Sequence, residues 1–308
     1  LRRTRVAIGP CAFTHGEAIY AERNYQRWLV ASGLPAHHRA SPRIDSTIGD
    51  GTRTVIRWDG DPARQFVVEA STEGRTWRAV TRTSGSSATV AASPYLRVRR
   101  DDDPASIPSR AYGATGSEWL VVDAFDRYYG GSWSRPRHDF AASLGSALER
   151  PFSVASRDAV AAGRVSLFRY SRVLWLLGDQ SRLDVTFDPR TRSRIEDYVA
   201  AGGKLLVTGS EVGYATDASW FGRVLHVRFV ADGAGTTAVG DLRIGVTYPQ
   251  PWPDVLSGPA TILRYATGGA AAVGLNRQIA VVGFGLETLG EADRKKALSL
   301  LTRWFDGG

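Results

Sequence analysis

The sequence predicts a multidomain chain: a β-sandwich followed by a three-layer α/β domain with a mostly parallel sheet. Three observations carry this. Residues 41–116 hold short alternating segments broken by turn signals. From residue 117 onward, continuous apolar runs alternate with helical patterns. Residues 222–275 lapse into short β segments and loops, read as an insertion into that second framework.

The elements follow in chain order. Residues 14–33 have helical spacing, with Ile19, Tyr20, Ala21, Trp28 and Leu29 on one face and Gly33-Leu34-Pro35 as the stop. We read residues 1–40 as an N-terminal segment, the tail of a missing upstream domain. His15, Glu17 and Glu22 could ligate a metal there, but a solvated helix face is the simpler reading. The chain starts Leu1-Arg2-Arg3 and contains no Met, which reads as a fragment of a longer precursor. In residues 41–116 the segments "TRTVIRWDG", "RQFVVEAST", "TWRAVTR", "ATVAAS" and "YLRVRRD" are strands. Asp59-Gly60, Glu73-Gly74 and Ser84-Gly85 supply the turns.

In residues 117–308, "EWLVVDAF" (118–125), "RVLWLLGDQS" (172–181), "KLLVTGSE" (204–211) and "QIAVVGFGLET" (278–288) are buried strands. Helices fall at 137–150, 188–203 and 291–305. The second of these opens on Pro189 after the cap Asp188 and closes at Gly202-Gly203.

Composition narrows the function classes. The 308 residues are 43% hydrophobic and 23% charged, as in globular chains. No apolar run reaches the ~20 residues of a membrane span. The net charge is +8, nearly all from Arg, since Lys occurs only at 204, 295 and 296. A polyanion partner fits that charge, but scattered Arg with no long basic run fits a compositional origin better, and nucleic acid is not an expected partner. A single Cys11 excludes an intrachain disulfide framework and a multi-cysteine metal site. No cofactor or metal is expected.

Acids follow nearly every expected core strand: Asp123 and Asp126, then Asp179, then Glu211, then Glu287. Ligands of parallel sheets bind beyond the carboxyl ends of the strands, so these acids should meet at one mouth. Arg127, His138, Gln180 and Ser210 could join them as ligand-binding groups. Glu211, Asp126 and Asp179 are the candidate catalytic set, able to work as acid and base in hydrolysis. The competing reading makes strand-end acids caps for the helices that follow. Gly209-Ser210-Glu211-Val212-Gly213 has the shape of a nucleophile elbow with a carboxylate at its centre instead of Ser or Cys. Ser210 would need a base, and His138 and His226 are the only histidines of this segment.

Trp58, "STEGRTW" and Tyr95-Leu96-Arg97-Val98 make residues 41–116 resemble a fibronectin type III domain. "WLVVDAFDR", "VSLFRYSRVLWLLGDQS" and "FDPRTRSRIEDYVAAGGKLLVTGSEVGY" resemble the α/β domain of golvesin-type and xanthan-lyase-like secreted bacterial proteins. That domain is similar to class I glutamine amidotransferases, an amidotransferase- or flavodoxin-like fold. "RYATGGAAAVGLNRQIAVVGFGLETL" matches its closing segment. The resemblance implies a secreted or cell-envelope (periplasmic or extracellular) setting. It also implies an upstream N-acetylmuramoyl-L-alanine amidase or other polysaccharide-active enzyme. Amidotransferases carry an elbow Cys, and Glu211 stands there instead. The expected function is therefore a non-catalytic module that binds or scaffolds polysaccharide or peptidoglycan. The alternatives are a hydrolase of glycans or cell-wall amides using the strand-end carboxylates, and a structural subunit of an extracellular assembly. Trp133, Trp220 and Trp252, in loop-like stretches, could anchor a protein or stack on sugar rings.

Overall fold

The computed structural model describes residues 42–61, 63–103, 106–125, 138–180, 186–248 and 252–307. The helix expected at 14–33, Cys11, Asp126, Arg127 and Trp133 lie outside the described residues. Seven strands come first: β1 (Arg43–Gly49), β2 (Arg53–Asp59), β3 (Gln65–Ser71), β4 (Arg78–Ser84), β5 (Ser87–Ala91), β6 (Ser93–Arg100) and β7 (Tyr112–Ala114). Then come β8 (Trp119–Asp123), α1 (Phe140–Ala147), β9 (Phe152–Ser156), α2 (Arg157–Ala161), β10 (Arg172–Gly178), α3 (Pro189–Ala200), β11 (Lys204–Gly209) and α4 (Ala218–Val224). The chain ends with β12 (Arg228–Ala231), β13 (Ala238–Val239), β14 (Leu242–Arg243), β15 (Val255–Ser257), β16 (Ala260–Arg264), β17 (Ala270–Leu275), β18 (Ile279–Val282) and α5 (Glu291–Asp306).

The expected sandwich-plus-three-layer α/β architecture is corrected by the strand pairing. The chain is mostly β, with one mixed sheet of 12 strands and five helices among the described residues. The main path runs β12-β15-β17-β18-β11-β10-β8-β9-β1-β2-β5, and β16 pairs with β17. Only β9, β8, β10, β11 and β18 pair in parallel. Antiparallel strands extend the sheet on both sides of that middle. On one side, β1 pairs with β9 and carries β2 and β5 into the same sheet, while β4-β3-β6-β7 form a second, four-stranded sheet. On the other, β12, β15, β16 and β17 of the 222–275 stretch join the same sheet, while β13 and β14 pair only with each other.

The β1–β9 seam is polar, which is why an apolar pattern does not reveal it. In "RIDSTIG" the buried residues include Ser46 and Thr47. Thr47 Oγ1 donates to the Gly113 carbonyl at 2.8 Å, and the Gly49 amide donates to Ser153 Oγ at 3.1 Å. Ser153 Oγ donates in turn to the Gly116 carbonyl at 2.7 Å. The buried hydroxyls of Thr47 and Ser153 are tolerated because each finds a backbone partner, a net gain of about 1 kcal/mol per bond.

Two apolar cores hold the layers. One gathers Trp58, Phe66 and Tyr112 with Leu144 of α1 and Leu298, Leu301 and Phe305 of α5. The other gathers Trp175, Leu177, Val207 and Val281 with Ile195 and Tyr198 of α3 and Trp220 and Phe221 of α4. Alternate residues of β10 and β11 serve the two cores, so these strands are apolar on both faces. The start of α3 matches its sequence signature: Asp188 accepts from the Arg190 and Thr191 amides, with Pro189 in the first turn.

Gly145 of α1 lies flat on Phe152, where an added Cβ would sit 2.2 Å from the ring. Alanine is the better helix former by about 1 kcal/mol. The ring it meets is buried, however, and overpacking costs about 1–3 kcal/mol. Gly145→Ala should therefore lower stability by about 1–2 kcal/mol, read as a lower urea midpoint at unchanged slope.

Candidate functional site

Parallel pairing of β8, β10, β11 and β18 puts their carboxyl ends on one edge of the sheet, as the sequence acids require. Asp123, Asp179, Glu211 and Glu287 each lie at or just past such an end. Asp126 and Arg127, expected beside them, are outside the described residues.

The acids divide into two groups with different surroundings. The first is enclosed. Asp123 Oδ2 accepts from Arg110 Nη1 and from the Tyr112 hydroxyl, both at 3.1 Å, and Oδ1 accepts from the Phe125 amide at 3.3 Å. It is a satisfied structural carboxylate. Glu287 is also buried, and Tyr248 donates its hydroxyl to Oε1 at 2.7 Å. Oε2 has no hydrogen-bond partner among the described residues. Burial pushes the Glu287 carboxyl up to about 7, and the nearby Asp123 charge adds to the rise while Tyr248 opposes it. Gly285 makes room for this side chain, since a Cβ there would lie 1.9 Å from Oε1.

His138 belongs to this enclosed group, not to an open mouth. Its ring forms a cluster with Phe125 and Phe140, at centroid distances of 4.9 and 4.7 Å, and stacks on Phe140. Nε2 lies 3.2 Å from the Phe125 carbonyl, so the proton sits on Nε2. The other candidate base, His226, lines a hollow with Gln278 and Ile279 at the amino end of β18, on the opposite edge. Ser210 is buried, and its amide donates to the Gly178 carbonyl at 2.8 Å. No Ser–His pair forms among the described residues.

The second group surrounds the elbow. Glu211 takes the left-handed backbone conformation, with φ 55°. For a non-glycine residue this costs about 1–2 kcal/mol. The surroundings hold it: its amide donates to the Trp252 carbonyl at 3.2 Å and its carbonyl accepts from Ala215 at 2.8 Å. Behind it, Asp254 Oδ2 accepts from the Gly213 amide at 2.6 Å and the Tyr214 amide at 3.2 Å. Asp254 is fully buried. Burial is the main force raising its carboxyl to about 7, the two amides oppose it, and the charges of Asp232 and Glu211 add to it. The sequence did not mark Asp254, which sits in a Pro-Trp-Pro-Asp stretch away from any expected core strand.

Beside the elbow lies a shallow hollow of about 470 Å³ lined by Asp232, Thr236, Thr237, Ile244, Trp252 and Pro253 among others. Trp252 is 43% exposed, whereas Trp220 is buried in the core with its Nε1 donating to Glu196 at 2.7 Å. Asp179 is buried, at 1% exposed, which leaves Gln180 as the last of the predicted residues. It is 1% exposed, and neither its Nε2 nor its Oε1 has a hydrogen-bond partner among the described residues. An unpaired buried group costs about 1–3 kcal/mol, and native chains carry few.

Asp254 and Glu287 tie stability to pH. Both hold a proton to about 7 in the folded chain, against roughly 4 when unfolded. Their stabilising contribution is complete below pH ~4 and is lost as pH rises toward 7. The slope is at most about 1.4 kcal/mol per pH unit for each group. Asp254→Asn, which keeps an oxygen for the Gly213 and Tyr214 amides, should remove about half the slope in urea unfolding across this window.

Comparison with protein-family models, with curated proteins and with solved structures gives no match to this chain, so nothing in them identifies it as golvesin-type or amidotransferase-like.

Proposed function

We propose that the chain is a non-catalytic module that binds a polysaccharide or peptidoglycan strand at the carboxyl edge of its sheet. The observation that carries this reading is Trp252. An exposed indole stands beside a hollow that also offers the Asp232 carboxylate and the Thr236 and Thr237 hydroxyls. A sugar ring has an apolar face of C–H groups and a rim of hydroxyls, and it needs this combination of flat ring and hydrogen-bonding rim. A secreted or envelope setting is part of the proposal and rests on the sequence resemblance across residues 117–306. No helix among the described residues is long and apolar enough to cross a membrane.

The hydrolase reading is weaker on geometry. The carboxyl that keeps its proton near neutrality beside Glu211 is Asp254, and both backbone amides of the elbow hold it out of solvent. A general acid must reach the leaving group, directly or through one water. Asp254 instead braces the elbow through the Gly213 and Tyr214 amides.

Sedimentation with purified peptidoglycan and titration with soluble polysaccharides test the proposal. Binding is expected, and Trp252→Ala should weaken it tenfold or more, about 1.4 kcal/mol. Stability should fall by about 1–3 kcal/mol, since more than half of the residue is buried, without loss of the cooperative transition. Failure to bind any cell-wall or anionic polysaccharide would overturn it.

A further inference from the structure

The hollow beside Trp252 is acidic on a chain that is otherwise basic. Its lining offers one charged group among the described residues, Asp232, and no Lys, Arg or His. Asp232 is exposed and makes no hydrogen bond or ion pair among the described residues. Its charge has no matching cation there, although the chain as a whole carries +8. Two more acids stand behind the hollow. Asp254 follows Trp252-Pro253 in the chain, and the Glu211 amide donates to the Trp252 carbonyl at 3.2 Å. The charges of Asp232 and Glu211 both act on Asp254 and add to the rise of its carboxyl to about 7.

The backbone brings this carboxylate next to the indole. Gly233, the residue after Asp232, lies against the Trp252 ring: a Cβ there would sit 3.6 Å from Cε3 and 3.8 Å from Cζ3. Its left-handed φ of 79° is one that glycine adopts without strain. An ammonium is drawn both to the face of an indole and to a carboxylate. An anion is repelled by every acid around this hollow, and a neutral acetamido group gains nothing from their charge. Each attraction is weak by itself at a surface, and the two acting in one hollow account for a preference of about tenfold.

Resting on the glycan-binding reading, we propose that the hollow takes an amino sugar whose nitrogen is free, its ammonium held by Asp232 and Trp252. Two β-1,4-linked tetramers test this, one of glucosamine and one of N-acetylglucosamine. They are titrated calorimetrically at pH ~6, where free amines are protonated. At low ionic strength the wild-type chain should bind the glucosamine tetramer at least tenfold more tightly. Raising the salt to ~0.5 M should shrink that preference, because an exposed charge pair is screened. Asp232→Asn, which removes the charge and nearly keeps the shape, should reduce the preference to twofold or less. It should melt with the wild-type chain, since the side chain it replaces is exposed and unpaired among the described residues. Equal binding of the two tetramers, tighter binding of the N-acetylated one, a preference indifferent to salt, or one that survives in Asp232→Asn would overturn the proposal and leave the glycan reading standing. Binding of neither tetramer would overturn it too. The glycan reading falls with it only if peptidoglycan and anionic polysaccharides fail as well.

Discussion

Parallel hydrogen bonding among β8, β10, β11 and β18 is the constraint on which the rest of the molecule depends. It forces four chain exits onto one edge of the sheet. Each exit turns from a strand buried on both faces into a loop that must satisfy its own backbone groups. Polar residues are needed there for that reason alone, and the chain supplies carboxylates. Bringing several carboxylates together under low solvent access is costly, and the structure shows three ways of meeting the cost. Asp123 is matched by Arg110 and Tyr112. Asp254 and Glu287 keep their protons up to about 7. Glu211 stays half exposed.

These three solutions sort structure from function. An acid with a guanidinium, a phenol and an amide on its oxygens has no capacity left for a ligand. An acid that binds two successive amides of a turn acts as a brace for that turn. What remains is an exposed indole and an amide without hydrogen-bond partners among the described residues, while Glu211 holds a left-handed conformation at a fixed place. Backbone strain persists only where the surroundings over-determine it, and here the Asp254 brace and the Trp252 carbonyl supply that determination. The conformation of Glu211 is thus imposed by its neighbours.

Parts of this were legible in the sequence for definite physical reasons. Leu120-Val121-Val122, Leu174-Trp175-Leu176-Leu177 and Leu205-Leu206-Val207 are apolar without alternation because both faces of these strands are covered. Asp188-Pro189 and Gly202-Gly203 mark the ends of α3 through local chemistry alone. The edge shared by the acids followed from parallel pairing. The fold class did not follow, because it depends on which strands meet, and the deciding contact is made by β1 and β9. Those strands bury Ser46, Thr47 and Ser153 through hydrogen bonds that no hydrophobic pattern encodes. Asp254 was equally hidden. Its role arises from contact with Gly213 and Tyr214, about 40 residues earlier in the chain.

The same logic explains why His138 carries less weight as a ligand group than its place in the sequence suggests. A histidine near an acidic edge invites a catalytic reading, but aromatic residues at 125 and 140 pack against its ring, and a carbonyl takes Nε2. Its polar capacity is directed into the fold. Gln180, an uncharged residue of modest prior interest, is enclosed without comparable compensation. Chemical reactivity in isolation was a poor guide at this edge. The better criterion is the hydrogen-bonding capacity that each side chain retains once its neighbours have been counted.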